Sequence, residues 1–318
     1  MTASRAINTP DIVSRQTLDA VLLAVQVMGY VPNLHAAGLR SRRTRMIACL
    51  VPTIASGSAF LQALQSMTNA FGQLGYQVML FERGYDRTRD DAVIAATLAR
   101  RPDGVALLGA IRTQAARERL RNSGIPVIET WDMTDTPVDM LVGFSHFKVG
   151  EAIARFLHQR GRRCVAAVNS TESRTGARFA GFAQEAKRLG IAGRDLMKGT
   201  SLVMGSPSGL GSGRTALSKS LVSDPKLDAI FAVTDMVAMG VMVEAQLRQL
   251  RVPQDLAVVG FGDLDFAADL EPPLTTVRVD DGRIGERAAQ MLVARIEGRR
   301  IDPVVQDVGF GIVERGST

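Results

Sequence analysis

The sequence predicts an α/β protein: two doubly wound parallel-sheet lobes in series, preceded by a short all-α head. Three observations carry that expectation. Apolar runs alternate with amphipathic stretches of a dozen or more residues, the pattern of βαβ units whose strands are buried on both faces. The alternation runs from 46 to about 143 and restarts at 149 for a second full set. A length of 318 residues, 46% hydrophobic and 22% charged, fits two compact lobes plus an appendage better than one core.

Taken in order, MTASRAIN (1–8) has a composition compatible with helix, and TPD makes a turn. Ser14 is then positioned to cap RQTLDAVLLAVQVMG, whose apolar residues at 18, 21, 22, 25 and 28 share one face, and Gly29 ends the helix. Residues 33–45, NLHAAGLRSRRTR, form a polar, basic linker. The predicted strands are MIACLV (46–51), YQVMLF (76–81), DGVALLG (103–109), IPVIET (125–130), CVAAVN (164–169), AIFAV (229–233) and LAVVGF (256–261). Helical spacing marks 59–75 and 149–161, and the glycines at 75, 124, 161 and 190 close helices where a left-handed cap is needed. VDMLVGF (138–144) is strand-like but unpaired. A last helix (281–298) precedes VVQDVGFGIVE (304–314), which returns to the first lobe and then the second. The division expected is a head at 1–32, a linker at 33–45, a first lobe of 46–143 plus 280–298, and a second of 144–279 plus 299–318.

The charge balance is local. Residues 1–45 hold six Arg (5, 15, 40, 42, 43, 45) against Asp11 and Asp19, which is +4 of the total +6. Such a block suits either contact with a polyanion or a solvated tether. Cys49 and Cys164 stand 115 positions apart in apolar stretches, so a disulfide framework and a four-Cys zinc site are excluded by count, and both thiols read as core. No apolar run reaches the roughly 18 residues of a membrane span. AVLLAVQVMGYV (20–31) is preceded by Asp11 and Asp19 and interrupted by Gln26, which favours a core helix over a signal peptide, so a cytoplasmic location is expected.

Catalytic templates fail. GxxxxGK[ST], HExxH, GxSxG and GxGxxG are absent, and GSPSGLGSGR (205–214) lacks phosphate-cradle spacing, reading as a loop into a helix at 214–222. The histidines at 35, 146 and 158 are far apart, with no metal-ligand spacing, and His158 reads as a half-buried packing residue. Asp90 with Asp91, and Asp280 with Asp281, are sequence neighbours and read as helix N-terminal charges. Neither enzymatic activity nor a cofactor or metal is expected.

The segment MTASRAINTPDIVS…GYVPNLHAAGLRSRRTRMIACLVP resembles the start of a LacI-family transcription repressor, as do GIPVIE (124–129), RFAGF (178–182), TDMVAMG (234–240), VPQDLAVVGFGD (252–263) and PPLTTVRVD (272–280) in the family's order. PVIETWD, VGFSHF and DVGFGIVERGS look most like its gluconate-operon repressor subgroup. The resemblance implies periplasmic-binding-protein-like lobes behind a helix-turn-helix head and hinge helix, a homodimer, a roughly palindromic double-stranded operator, and a small sugar-acid or related carbohydrate effector. In the family a first helix and turn precede the recognition helix, and Met1 falls where the recognition helix begins. The head is therefore partial. An upstream start and a loss of DNA binding are the two readings, and the intact recognition-helix and hinge residues favour the first.

Carried onto this chain, the recognition helix holds Thr2, Ser4, Arg5 and Asn8. Their hydroxyl and amide groups suit phosphates or base edges, and the guanidinium of Arg5 suits guanine; Thr2 and Ser4 equally suit a frayed helix end. Asn33, His35, Ala36, Leu39 and Arg40 belong to the hinge, where Leu39 can wedge a base step from the minor groove. Free of DNA, that segment has too few apolar residues to hold a helix. Arg40, Arg42, Arg43 and Arg45 add salt-sensitive phosphate attraction. For the effector, Arg178 matches the family's clamp, a guanidinium suited to a carboxylate or diol; a helix-end salt bridge is the alternative. Phe60, Trp131 and Phe144 are candidates for stacking on a small ligand or for plain core, and Trp131 with Asp132 stands at a strand's carboxyl end, where clefts open. Thr234 replaces the family's commoner Asn, and Gly262 its commoner Asp, with Asp263 next to it. Both changes favour an anionic ligand over a neutral sugar. A solute-binding protein or sensor that does not touch DNA is the competing reading; an enzyme would need a cleft nucleophile or acid pair that the sequence does not offer.

Overall fold

The computed structural model describes residues 2–8, 10–30, 43–54, 60–84, 89–109, 111, 113–170, 173–194, 202–204 and 209–318. The expected hinge helix, with Asn33, His35, Ala36, Leu39 and Arg40, lies outside the described residues. The chain divides into two units, Met1–Thr44 and Arg45–Thr318.

The first unit contains α1 (Thr2–Asn8), a 3-10 turn (Pro10–Ile12) and α2 (Arg15–Met28). Ser14 is extended and its hydroxyl accepts from Thr17 N at 3.3 Å, which satisfies one of the orphan donors of the first turn. Gly29 closes α2 in the left-handed region, φ 59°. Ala6 of α1 is buried, whereas α2 has no buried residue and exposes Leu22, Leu23, Val27 and Met28.

The second unit is built on two six-stranded sheets. The first joins β1 (Met46–Val51), β2 (Gln77–Glu82), β3 (Gly104–Leu108), β4 (Val127–Thr130), β5 (Met140–Gly143) and β11 (Val305–Asp307) in the order β11-β5-β4-β3-β1-β2, all parallel. The second repeats the scheme with β6 (Val165–Ser170), β7 (Leu202–Met204), β8 (Ala229–Ala232), β9 (Ala257–Phe261), β10 (Thr275–Arg278) and β12 (Gly311–Val313), in the order β12-β10-β9-β8-β6-β7, with β12 alone antiparallel to its neighbour. Helices α3 (Leu61–Gln73), α4 (Arg89–Ala99) and α5 (Gln114–Asn122) follow strands of the first sheet; α6 (His146–Gln159), α7 (Ser173–Leu189), α8 (Leu210–Ser223) and α9 (Asp235–Leu247) serve the second. The last helix, α10 (Asp281–Ile296), packs on α3. Central strands are apolar throughout because both faces are covered: Ile47 to Val51 and Val105 to Leu108 are fully buried.

Several expectations are corrected. VDMLVGF is paired on both sides, by β4 and β11; 304–314 returns, as expected, to the first sheet (Val305–Asp307) and then the second (Gly311–Val313), so the boundary drawn at 299 moves past 307. The Gly-rich stretch turns helical at Leu210, ahead of 214, because Gly213 and Gly240 let α8 and α9 meet backbone to backbone. The helices at 61–73 and 281–296 bury a face on each other: Ser66 Oγ donates to Gly282 O at 2.9 Å, and a methyl on Gly285 would stand 2.5 Å from Met67 N. Asp90, Asp91 and Asp281 stand in the first turns of their helices and Asp280 caps α10, as expected, but Asp90 and Asp281 are also buried. Asp90 pairs with Arg83 at 3.6 Å, and burial, reinforced by Asp280, pushes the Asp281 carboxyl up to about 8. Cys164 is only half-buried, its thiol donating to Asp224 Oδ2 at 3.1 Å. Among the described residues no helix is long and apolar enough to cross a membrane.

Candidate functional site

Each sheet reverses its winding between its first and third strands, β1 and β3 in one lobe, β6 and β8 in the other. In doubly wound sheets the crevice beyond the carboxyl ends of those strands takes ligands. Phe60 follows β1 and opens α3, Trp131 and Asp132 follow β4, and Phe144 follows β5 on the way to α6. Arg178 lies in α7 after β6, Thr234 caps α9 after β8, and Asp263 stands two residues past β9.

Four of these come together around Phe261, the last residue of β9. The Trp131 indole meets Phe60, Phe144 and Phe261 edge-on at centroid distances of 6.3, 5.4 and 6.3 Å, and Phe144 stacks on Phe261 at 6.1 Å. The Arg178 guanidinium lies 3.8 Å from the Phe261 ring centroid, a cation–π contact, although the residue is only 4% exposed. Trp131 adopts φ 63°, unusual for a bulky residue. Two contacts support that conformation. His146 Nε2 donates to Trp131 O at 2.9 Å, and Gly143 leaves room for the backbone of Asp132, whose carbonyl a Cβ at 143 would overlap. The Trp131 indole N–H is buried without an acceptor among the described residues.

The remaining predicted residues are engaged within the chain. The Thr234 hydroxyl accepts from Val237 N at 3.3 Å as the α9 cap. Asp263, with φ 49°, is ion-paired with Arg278 and, at 2.7 Å, with Arg315. Asp132 Oδ1 accepts from Met133 N at 2.8 Å. The crevice therefore holds a cation and an indole N–H, and the Asp263 carboxylate is already paired with two arginines. A cavity of about 400 Å³ lies elsewhere, bounded by Leu74, Arg287, Met291 and Ile301. Among the described residues no group of three or more His, Cys, Asp or Glu is disposed to hold a metal.

Residues 154–318 match the family model of the periplasmic binding protein-like domain. Over its whole length the chain is 32% identical to the HTH-type transcriptional regulator GntR of Pseudomonas aeruginosa, covering 92% of that protein. The chain belongs to the LacI family of transcriptional regulators. Among solved structures it is similar to a transcription regulator GntR from Chromobacterium violaceum, with TM-score 0.80, 30% identity, and coverage of 86% of this chain and 98% of that one. It is also similar to a LacI-family regulator from Silicibacter pomeroyi, with TM-score 0.88, 26% identity, and coverage of 100% and 95%. The relatives are named as transcriptional regulators, and the family is not one of enzymes.

In this LacI-family chain three residues that build the crevice are not among those singled out from the sequence. Phe261 ends LAVVGF and meets the same strand-end criterion as Trp131, which is the signal that could have found it. His146, judged on metal-ligand spacing alone, serves instead as a backbone anchor. Asp235 is fully buried; its carboxylate accepts from Thr276 Oγ1 at 2.5 Å and from Leu264 N at 2.8 Å, tying the 262–264 turn to β10. Burial pushes its carboxyl up to about 6 against those two hydrogen bonds. In the head, Thr2 and Arg5 are exposed on α1, which also carries Ser4 and Asn8.

Proposed function

We propose that this LacI-family chain is a cytoplasmic, homodimeric repressor whose interlobe crevice binds a small sugar acid, gluconate or a close relative, and whose operator affinity depends on that occupancy. The observation that carries the reading is the Arg178 guanidinium lying over Phe261 beside the Trp131 cluster, with Asp263 held by Arg278 and Arg315. A planar cation with a neutralised carboxylate nearby favours a carboxylate ligand, and the aromatic rings suit the carbon face of a sugar chain. The resemblance to gluconate-operon repressors supports gluconate within that class. The exposed Thr2 and Arg5 of α1 support operator contact, and a two-fold dimer calls for a near-palindromic site. Effector binding changes DNA affinity only through a difference in effector affinity between the DNA-bound and free states.

The test is titration of the full chain on palindromic promoter DNA with and without gluconate, beside calorimetry with gluconate and with glucitol, its polyol counterpart without the carboxylate. The reading expects gluconate to bind, glucitol to bind far more weakly, and gluconate to shift the DNA isotherm. Gluconate binding by a chain that never engages DNA points to a sensor of the same fold. Preference for glucitol removes the sugar-acid reading.

A further inference from the structure

Arg178 is carried by α7, and α7 rests on α6 closely enough that at two points there is no room for a Cβ. A Cβ built on Gly150 of α6 would overlap the carbonyl oxygen of Arg178 itself and come within 2.5 Å of Phe182 N. From the other side, a Cβ on Gly181 of α7 would overlap the carbonyl oxygen of Phe147. These two glycines are thus the points where the helix backbones touch, and one touches the peptide unit of the crevice arginine. The same α6 begins at His146, which holds Trp131 O and packs its ring on Phe144 at 4.5 Å. One helix pair therefore carries both the cation above Phe261 and the anchor of the indole beneath the aromatic cluster.

We propose that Gly150 and Gly181 are positioning residues for effector recognition: they set the depth of α7 on α6 and thereby hold the Arg178 guanidinium over Phe261 in register with Trp131. The proposal rests on Arg178 being the effector's cation. A methyl at either glycine has backbone in its way, so the helices must separate or slide. Either movement displaces the guanidinium without altering its chemistry, and displacements near 1 Å in a recognition site cost up to about a hundredfold.

Gly150→Ala and Gly181→Ala press on opposite sides of one contact. Gly193→Ala is the control for mere crowding, since its Cβ would stand 2.9 Å from Val165 O, at the start of β6 and away from the crevice. Trp131 is the only tryptophan in the sequence, so its fluorescence reports the cluster directly. The proposal expects both α6–α7 variants, like Arg178→Ala, to shift Trp131 emission and raise its iodide quenching in ligand-free protein, and to weaken gluconate binding at least about tenfold. Gly193→Ala should lower Tm with emission and affinity close to wild type. Wild-type emission in Gly150→Ala or Gly181→Ala overturns the proposal whether or not gluconate binds. Failure of wild type to bind gluconate removes the sugar-acid reading and leaves the emission comparison to decide this one. Hydrogen exchange on the ligand-free wild-type chain tests the same contact without requiring either variant to fold. The amides of 147–150 and 178–182 must open together, and independent opening of the two segments overturns the proposal.

Discussion

The guanidinium carbon of Arg178 sits 3.8 Å from the ring centre of Phe261, joining a residue of α7 to the last residue of β9. A cation on an aromatic face inside a protein is stabilised by the ring quadrupole and poorly solvated by water, so it is poised to gain from an anionic ligand. Arg178→Lys keeps the charge but loses the planar fork and the stacking area. It should weaken gluconate binding by about 2 kcal/mol, and Arg178→Gln by at least as much. Calorimetry on both variants checks this, with glucitol affinity expected to change little.

Arg315 links the chain's last residues to the crevice turn. It pairs with Asp263 at 2.7 Å and donates to Leu274 O at 2.8 Å, while Ser317 Oγ donates to Val258 O at 2.6 Å. Arg315→Ala should cost about 1–3 kcal/mol of stability, since Asp263 is largely buried, and should also weaken a carboxylate ligand by leaving Asp263 less neutralised. Urea unfolding and gluconate calorimetry separate the two effects. Unchanged gluconate affinity would argue that Asp263 does not face the ligand.

Asp281 makes stability depend on pH. Its folded pKa of about 8 lies above the ordinary carboxylate value, because burial and the neighbouring Asp280 disfavour the anion. The folded state therefore holds a proton that the unfolded state has released. This contribution is fully present below about pH 4 and is lost as pH rises through about 8. Asp281→Asn, neutral at every pH, should be more stable than wild type at pH 9 and should flatten the dependence between pH 5 and 9. Thermal melts across that range are the measurement.

Glu129 is buried at the end of the first lobe's central strands, its Oε1 3.2 Å from Arg117 and its Oε2 accepting from Val138 N at 2.7 Å. Burial raises its pKa in spite of Arg117 and the backbone donors of Val138 and Ile111. Arg117→Ala should cost about 3 kcal/mol, because a buried carboxylate loses its cation and keeps only the backbone donors of Val138 and Ile111. It should also loosen 131–139, the segment that carries Trp131. Urea melts and Trp131 emission follow the two consequences.

The sheets were readable because strands covered on both faces must be apolar from end to end, and MIACLV, AIFAV and LAVVGF have no other use. β10 was not readable as a strand, since its Thr275 and Thr276 are buried by hydrogen bonds to Ser317, Thr318 and Asp235 that no local pattern announces. The Leu210 turn of α8 was hidden for a related reason: glycine lowers helix propensity, and only the approach of α9 explains its presence there. Strand-end logic and the family resemblance single out Phe60, Trp131, Phe144 and Arg178, which the fold brings together around Phe261. Asp263 reads from the sequence as open to ligand, yet its partners are 15 and 52 residues further along the chain, beyond the reach of any motif.

Residues 304–314 lend one strand to each sheet, β11 beside β5 and β12 beside β10. A ribosome therefore delivers most of the first lobe long before the strand that closes its edge, and β5 waits with an unpaired flank until nearly the whole chain has emerged. Exposed flanks of that kind invite pairing with the wrong neighbour. Completion of the two lobes is in consequence a single late event of synthesis, and premature termination anywhere before Val305 leaves neither lobe whole.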